Sequence, residues 1–251
     1  MTVKNRGTGV GGSVPRKEDR RFLNGSGQFV GDIALSHMED VAFIRSPFAH
    51  GLINNIEIPD SLRHSVYCAK DLIGTKSIRA VSNLKGFKPS DQPLLALEKV
   101  RYVGELIAAC LGATRAEAED KVDEIYADID PLPVIVDMLD ARKPDAPLIH
   151  EDWGDNIFLE TRMSAGQPEP LLSAPIKVNR KLRMSRQCMA PLEGRGVVAQ
   201  WDSRLEQLTV YTSTQIPHIV RSGLSECLGL DESSIRAVSY THLTLPTNRE
   251  V

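Results

Sequence analysis

The stretch YTSTQIPHIVRSGLSECLGL, from Tyr211 to Leu230, changes its periodicity part-way along. Leading into it, Leu208, Val210 and Thr212 alternate through 207–214, the period-two pattern of a strand. Pro217 then stands where the first turn of a helix would begin, where its missing N–H costs nothing and its φ is already helical. Ile216, Ile219, Val220, Leu224, Cys227 and Leu228 follow at spacings of three and four, and Gly229 supplies a C-terminal stop. A strand therefore passes into a helix across Ser213, Thr214 and Gln215. Gln215 and His218 sit at that junction, where polar side chains and open helix N–H groups can face an anionic ligand.

The rest of the chain is that of an ordinary globular protein. Its 251 residues are 41% hydrophobic and 25% charged, with a net charge of −3. Such a chain buries about 70–75% of its unfolded surface, enough for one large or two modest domains. The near-neutral balance argues against nucleic acid or an anionic membrane as partner. No apolar run approaches the ~18–20 residues of a membrane span, and the first 21 residues lack the apolar centre of a secretory leader. Cys68, Cys110, Cys188 and Cys227 are widely separated, so free thiols are expected, no metal site is expected, and the expected location is cytoplasmic.

Gly7, Gly9 and Gly12 formally match G-x-G-x-x-G, but no strand precedes them and Pro15 follows, so 1–15 is read as a flexible arm. From 16 to about 140 the pattern is that of one α/β domain. A short strand is expected after the turn residues of 21–33, then strands at 41–46 and 52–58, with a possible fourth in VYCAKDL. Leu106–Leu111 is an apolar strand. Thr114 and Glu117 then form a capping box, with Ala118, Val122, Ile125 and Tyr126 on one helix face. IDPLPVIVDML returns as a strand, so 105–137 is expected to form a β-α-β unit. The Pro, Asp and Gly residues of 141–156 read as a linker. FLETRMSAG and PIKVNRKLRM are strand-like, and a strand at 197–201 pairs with QLTVYTST as a hairpin.

The strand-STQ-x-P-H-x-x-R-helix segment resembles the molybdopterin-binding large subunit of the xanthine dehydrogenase and aldehyde oxidase family, the molybdenum hydroxylases. The resemblance extends from about Pro15 to Val238: Arg45, Ser46, Pro47, Ala49 and His50 match its R-S-P-x-A-H block. LEKVRYVGELIA matches V-R-Y-V-G-E-P-V-A, with Leu106 in place of proline, and Gln187–Gly196 matches P-x-E-x-R-G. The resemblance implies an α+β chain, with an α/β hammerhead domain over 16–140 and the start of the molybdopterin-binding domain over 157–238. It implies that Gln215, which alone would read as a helix cap, hydrogen-bonds an oxo ligand of molybdenum. It further implies oxidative hydroxylation of an aldehyde, N-heterocycle or similar small molecule, with water as oxygen source. Iron–sulfur and FAD centres are then expected on partner subunits or domains, in an assembly that dimerises.

SYTHLTLPTNREV, 239–251, has no glycine where the family continues into a glycine-rich loop, and it reads as foreign to the fold. The family's catalytic glutamate is expected beyond this chain, so the chain is expected to be inactive alone. Glu193 and Arg195 are expected to pair across their turn, and His50 and His218 to have structural or hydrogen-bonding roles. The alternative reading is a non-catalytic hammerhead module that binds partner subunits.

Overall fold

The computed structural model describes residues 10, 19–163, 165–166, 173–185, 187–188, 190–191 and 193–239. The 1–15 arm, apart from Val10, and the tail from 240 onward lie outside the described residues. The architecture is α+β, divided into two compact units. One takes in 36–187 and 223–230; the other takes in 1–35, 188–222 and 231–251.

In the first unit, β7 (Leu106–Gly112) is the central strand of a sheet ordered β1-β7-β3, with β1 at Asp40–Arg45 and β3 at Val66–Cys68. Both neighbours run antiparallel to it. The run LIAACLG is apolar throughout, which suits a strand whose successive residues are buried or half-buried on both faces. β1 alternates instead, burying Ala42 and Ile44 while exposing Val41 and Phe43. A second sheet is ordered β6-β2-β8, from Lys99–Val100, Gly51–Glu57 and Tyr126–Pro131; β4 (Ile78–Arg79) and β5 (Asp91–Gln92) pair by themselves, and α1 is the short helix Asp19–Leu23 of the other unit. Ile44, Val66, Val100, Ile107, Cys110 and Ile129 share one apolar cluster fed by both sheets.

Helix α2 (Arg115–Asp123) begins as its sequence predicts, with Thr114 Oγ1 accepting the Glu117 N–H at 3.2 Å. The Glu117 carboxylate accepts from the Ala113 N–H at 3.1 Å, and Lys121 bridges it to the Leu111 carbonyl. That ammonium, followed by the Ala113 N–H, holds the Glu117 carboxyl below its ordinary range. Ala118 is fully buried, and the helix lies so close to β7 that a Cβ on Gly112 would meet the Ala118 nitrogen at 2.5 Å. Tyr126 is not on the helix; it opens β8.

The structure corrects four expectations. β7 and β8 belong to different sheets, so 105–137 is not a parallel β-α-β unit. β8 also ends at Pro131, because Pro131 and Pro133 cannot donate to a ladder and 132–138 forms no strand. After Gly27 there is no strand: Asp32 accepts the Phe29 N–H at 2.8 Å and draws Val30–Asp32 into a single 3-10 turn. Among the described residues, 158–163 and 175–184 form no strand, since neither has a ladder partner. Hydrogen bonds fasten part of the 141–156 segment. Lys88 binds Asp155 at 2.6 Å and the Trp153 carbonyl at 3.0 Å, and Asn156 ties back to Ile149 and Pro147.

In the second unit, β10 (Gln207–Thr212) is central. It pairs antiparallel with β9 (Val197–Asp202) through the expected hairpin and parallel with β11 (Ile235–Ser239). Helix α3 (Pro217–Leu228) connects the parallel pair, so β10-α3-β11 is a β-α-β unit. Gly229, at φ 69°, ends the helix in a conformation that favours glycine. Ser239, assigned from sequence to the tail, is the last residue of β11.

Candidate functional site

The junction after β10 is fixed by short-range hydrogen bonds around Gln215. The Ser213 hydroxyl accepts the Gly196 N–H at 2.9 Å and donates to the Gly194 carbonyl at 3.2 Å, while the Ser213 N–H donates to the Gly196 carbonyl at 3.2 Å. Thr214 Oγ1 accepts the Ile216 N–H at 3.2 Å, closing a small side-chain turn over Gln215. The Ser239 hydroxyl donates to the Thr214 carbonyl. The backbone on both sides of Gln215 is therefore held, whereas its side chain is exposed and forms no hydrogen bond among the described residues.

Helix α3 adds donors beside it. Pro217 has no N–H, and the Val220 N–H is taken by the Ile216 carbonyl at 3.2 Å. The His218 and Ile219 N–H groups have no acceptor among the described residues, as expected of a helix first turn. Of the predicted apolar stripe only Cys227 is buried; Ile216 and Ile219 are exposed beside Gln215. A cleft of about 300 Å³ opens along the helix, lined by Gln207, His218, Arg221 and Arg236 among others. Arg221 is paired with Glu232 at 2.9 Å, and the Ser222 hydroxyl bonds the same carboxylate at 2.6 Å. Those contacts, the hydroxyl foremost, hold Glu232 below the ordinary carboxylate range.

An amide carrying both donor and acceptor, flanked by open N–H groups and apolar surface, fits the oxygen- and nitrogen-rich edge of an anionic heterocyclic cofactor. No group of three His, Cys, Asp or Glu among the described residues could hold a bare metal ion.

Among the described residues Glu193 and Arg195 do not pair across their turn; Glu193 Oε1 instead accepts the Val30 N–H at 3.4 Å, and Arg195 is exposed. His50 is buried in the other unit, its Nδ1 bonded to the Pro133 carbonyl at 2.8 Å. Arg45 and Ser46 bind the Gly104 and Glu105 backbone, so R-S-P-x-A-H and V-R-Y-V-G-E meet as one strand-end lock. Sequence reasoning missed Ser213 and the Arg221–Glu232 pair. Ser213 lay within the motif, but nothing in the sequence signalled a bond to residues seventeen positions earlier.

Two family models match in succession: "Aldehyde oxidase and xanthine dehydrogenase, a/b hammerhead domain" over residues 24–133, and "Molybdopterin cofactor-binding domain" over 149–241. The chain belongs to the xanthine dehydrogenase and aldehyde oxidase family. Over 238 residues it is 33% identical to the nicotine 6-hydroxylase large subunit of Paenarthrobacter nicotinovorans, covering 92% of this chain and 29% of that one. It is equally 33% identical over 251 residues to the carbon monoxide dehydrogenase large chain of Hydrogenophaga pseudoflava, covering 92% and 31%. Quinoline 2-oxidoreductase from Pseudomonas putida 86 superposes with a TM-score of 0.82 at 32% identity, over 89% of this chain and 29% of that one. This family member thus spans about a third of the length of the relatives it matches. The second of the two matched models is one that binds the molybdopterin cofactor. No helix among the described residues is long and apolar enough to cross a membrane.

Proposed function

We propose that this chain is the hammerhead domain and opening part of the cofactor domain of a molybdenum hydroxylase large subunit. Its substrate class is an aldehyde, N-heterocycle or similar small molecule hydroxylated with oxygen from water. The observation that carries the reading is the Gln215 turn, with its backbone held on both sides and its amide without a partner among the described residues. Bound molybdopterin supplies the two-electron oxidation at molybdenum. Gln215 presents a donor and an acceptor to the metal end of the cofactor, and the His218 and Ile219 N–H groups supply partial positive charge beside it. Ile216 and Ile219 offer apolar cover that excludes water once the rest of the domain closes over them. Iron–sulfur and flavin subunits take up the electrons, in a dimeric assembly located in the cytoplasm.

Turnover requires the rest of such a subunit, because the chain represents about a third of its relatives' length. The test replaces the matching segment of the carbon monoxide dehydrogenase large chain with residues 19–239 of this protein. Retention of molybdenum and pterin by the folded chimera is expected. A folded chimera without either, or turnover by the 251-residue chain alone, would overturn the proposal.

A further inference from the structure

The three Ser213 bonds join segments that are remote in sequence. Its hydroxyl and N–H grip Gly194 and Gly196, the two residues flanking Arg195, immediately before β9 begins. The same short segment is tied at Glu193 to the Val30 N–H. On the other side, Ser213 is two residues from Gln215, and the intervening Thr214 is held at both its hydroxyl and its carbonyl. An amide that must meet a ligand at hydrogen-bond distance gains most from a backbone that does not reorganise on binding.

We propose that Ser213 is the positioning residue of the Gln215 site: by fastening the 194–196 turn to the end of β10, it fixes the direction in which Gln215 projects. This rests on the reading of Gln215 as the cofactor-facing residue. The serine acts through backbone partners and touches no ligand itself. Alanine keeps the strand but removes one acceptor and one donor, leaving the Gly196 N–H without its partner.

Nuclear magnetic resonance on the labelled 251-residue chain tests this with Ser213→Ala, Ser213→Thr and, as a control for general loosening, Val210→Ala, which trims a buried residue of the same strand. In Ser213→Ala, solvent exchange of the Gly196 amide should quicken about two- to tenfold, as expected for one lost hydrogen bond. The order of the Gln215 side-chain amide should fall with it. Ser213→Thr, which retains the hydroxyl, should restore both, and Val210→Ala should leave Gln215 order unchanged. Unchanged Gln215 order in Ser213→Ala, failure of threonine to restore it, or an equal loss in Val210→Ala would each overturn the proposal. Gln215→Ala separates this from the parent reading. That variant should keep Gly196 protected yet abolish the shifts that added molybdopterin causes at the turn. If those shifts persist, the Gln215 assignment fails, while the effect of Ser213 on local order is still measured.

Discussion

The Lys99 ammonium, only 8% exposed, is paired with a Glu151 carboxylate that is 65% exposed. Lys99 belongs to β6 and its end of the pair is buried, while the other end is open to water, so the two halves carry unequal costs when removed. Glu151→Gln removes the negative charge and leaves a buried ammonium facing only neutral acceptors, the amide oxygen and the Ile149 carbonyl. A loss of about 1–2 kcal/mol is expected from urea unfolding. Lys99→Met leaves only a solvated carboxylate behind, and the expected loss is under about 1 kcal/mol. Equal losses would contradict the asymmetry.

The same pair sets a pH dependence. The hydrogen bond from Lys99 holds the Glu151 carboxyl below its ordinary value. A carboxyl depressed in the folded state stabilises above its unfolded pKa, about 4.3, and that contribution is lost as pH falls through the lower folded value. The difference in melting temperature between wild type and Glu151→Gln should therefore be full above about pH 5 and shrink as the pH drops below about 4. A difference that stays constant into acid would remove the pair from the account.

Gly112→Ala should push α2 away from β7, because its Cβ would meet the Ala118 nitrogen at 2.5 Å. Overpacking against backbone costs about 1–3 kcal/mol. Gly74→Ala is not an adequate control, since its φ of 82° is itself strained for alanine. Gly31→Ala, with open space around its Cβ, should be close to neutral, and the contrast is read by thermal unfolding.

His50→Ala should cost about 2–3 kcal/mol, through a cavity in the buried strand end and a Pro133 carbonyl left without its partner. Circular dichroism should show a lower melting temperature. The molybdopterin-induced shifts at the Gln215 turn should be unaffected, which separates this histidine from the site.

Ile176, Val178, Leu182 and Met184 are each more than three-quarters exposed. Changing all four to serine should reduce self-association in light scattering and leave the melting temperature within about 1 °C, since surface positions contribute little to stability. A large stability loss would mean these side chains pack in solution.

The Gln215 junction was legible because a period of two gives way to a period of three and four at a proline. β1, β2, β7, α2 and the 197–212 hairpin were legible for the same local reasons. Sheet membership was not: β7 and β8 look like consecutive strands of one unit, yet each is claimed by partners far away in sequence. Pro131 and Pro133 did carry the signal that ended β8, and the apolar run VIVDML outweighed it wrongly. The strand-like patterns of 158–163 and 175–184 failed because alternation specifies a strand only when another strand is there to pair with it. At the site, Gln215 was named by its motif. Ser213 was not, because the bond that gives it a role spans seventeen residues.

The most direct test is anaerobic titration of the isotope-labelled 251-residue chain with molybdopterin, following every backbone and side-chain amide. The account predicts shifts concentrated at the Gln215 side chain, Ser213, His218 and Ile219, and lost in Gln215→Ala. Shifts confined to the sheets of 36–187, or none at the turn at saturating cofactor, would contradict it.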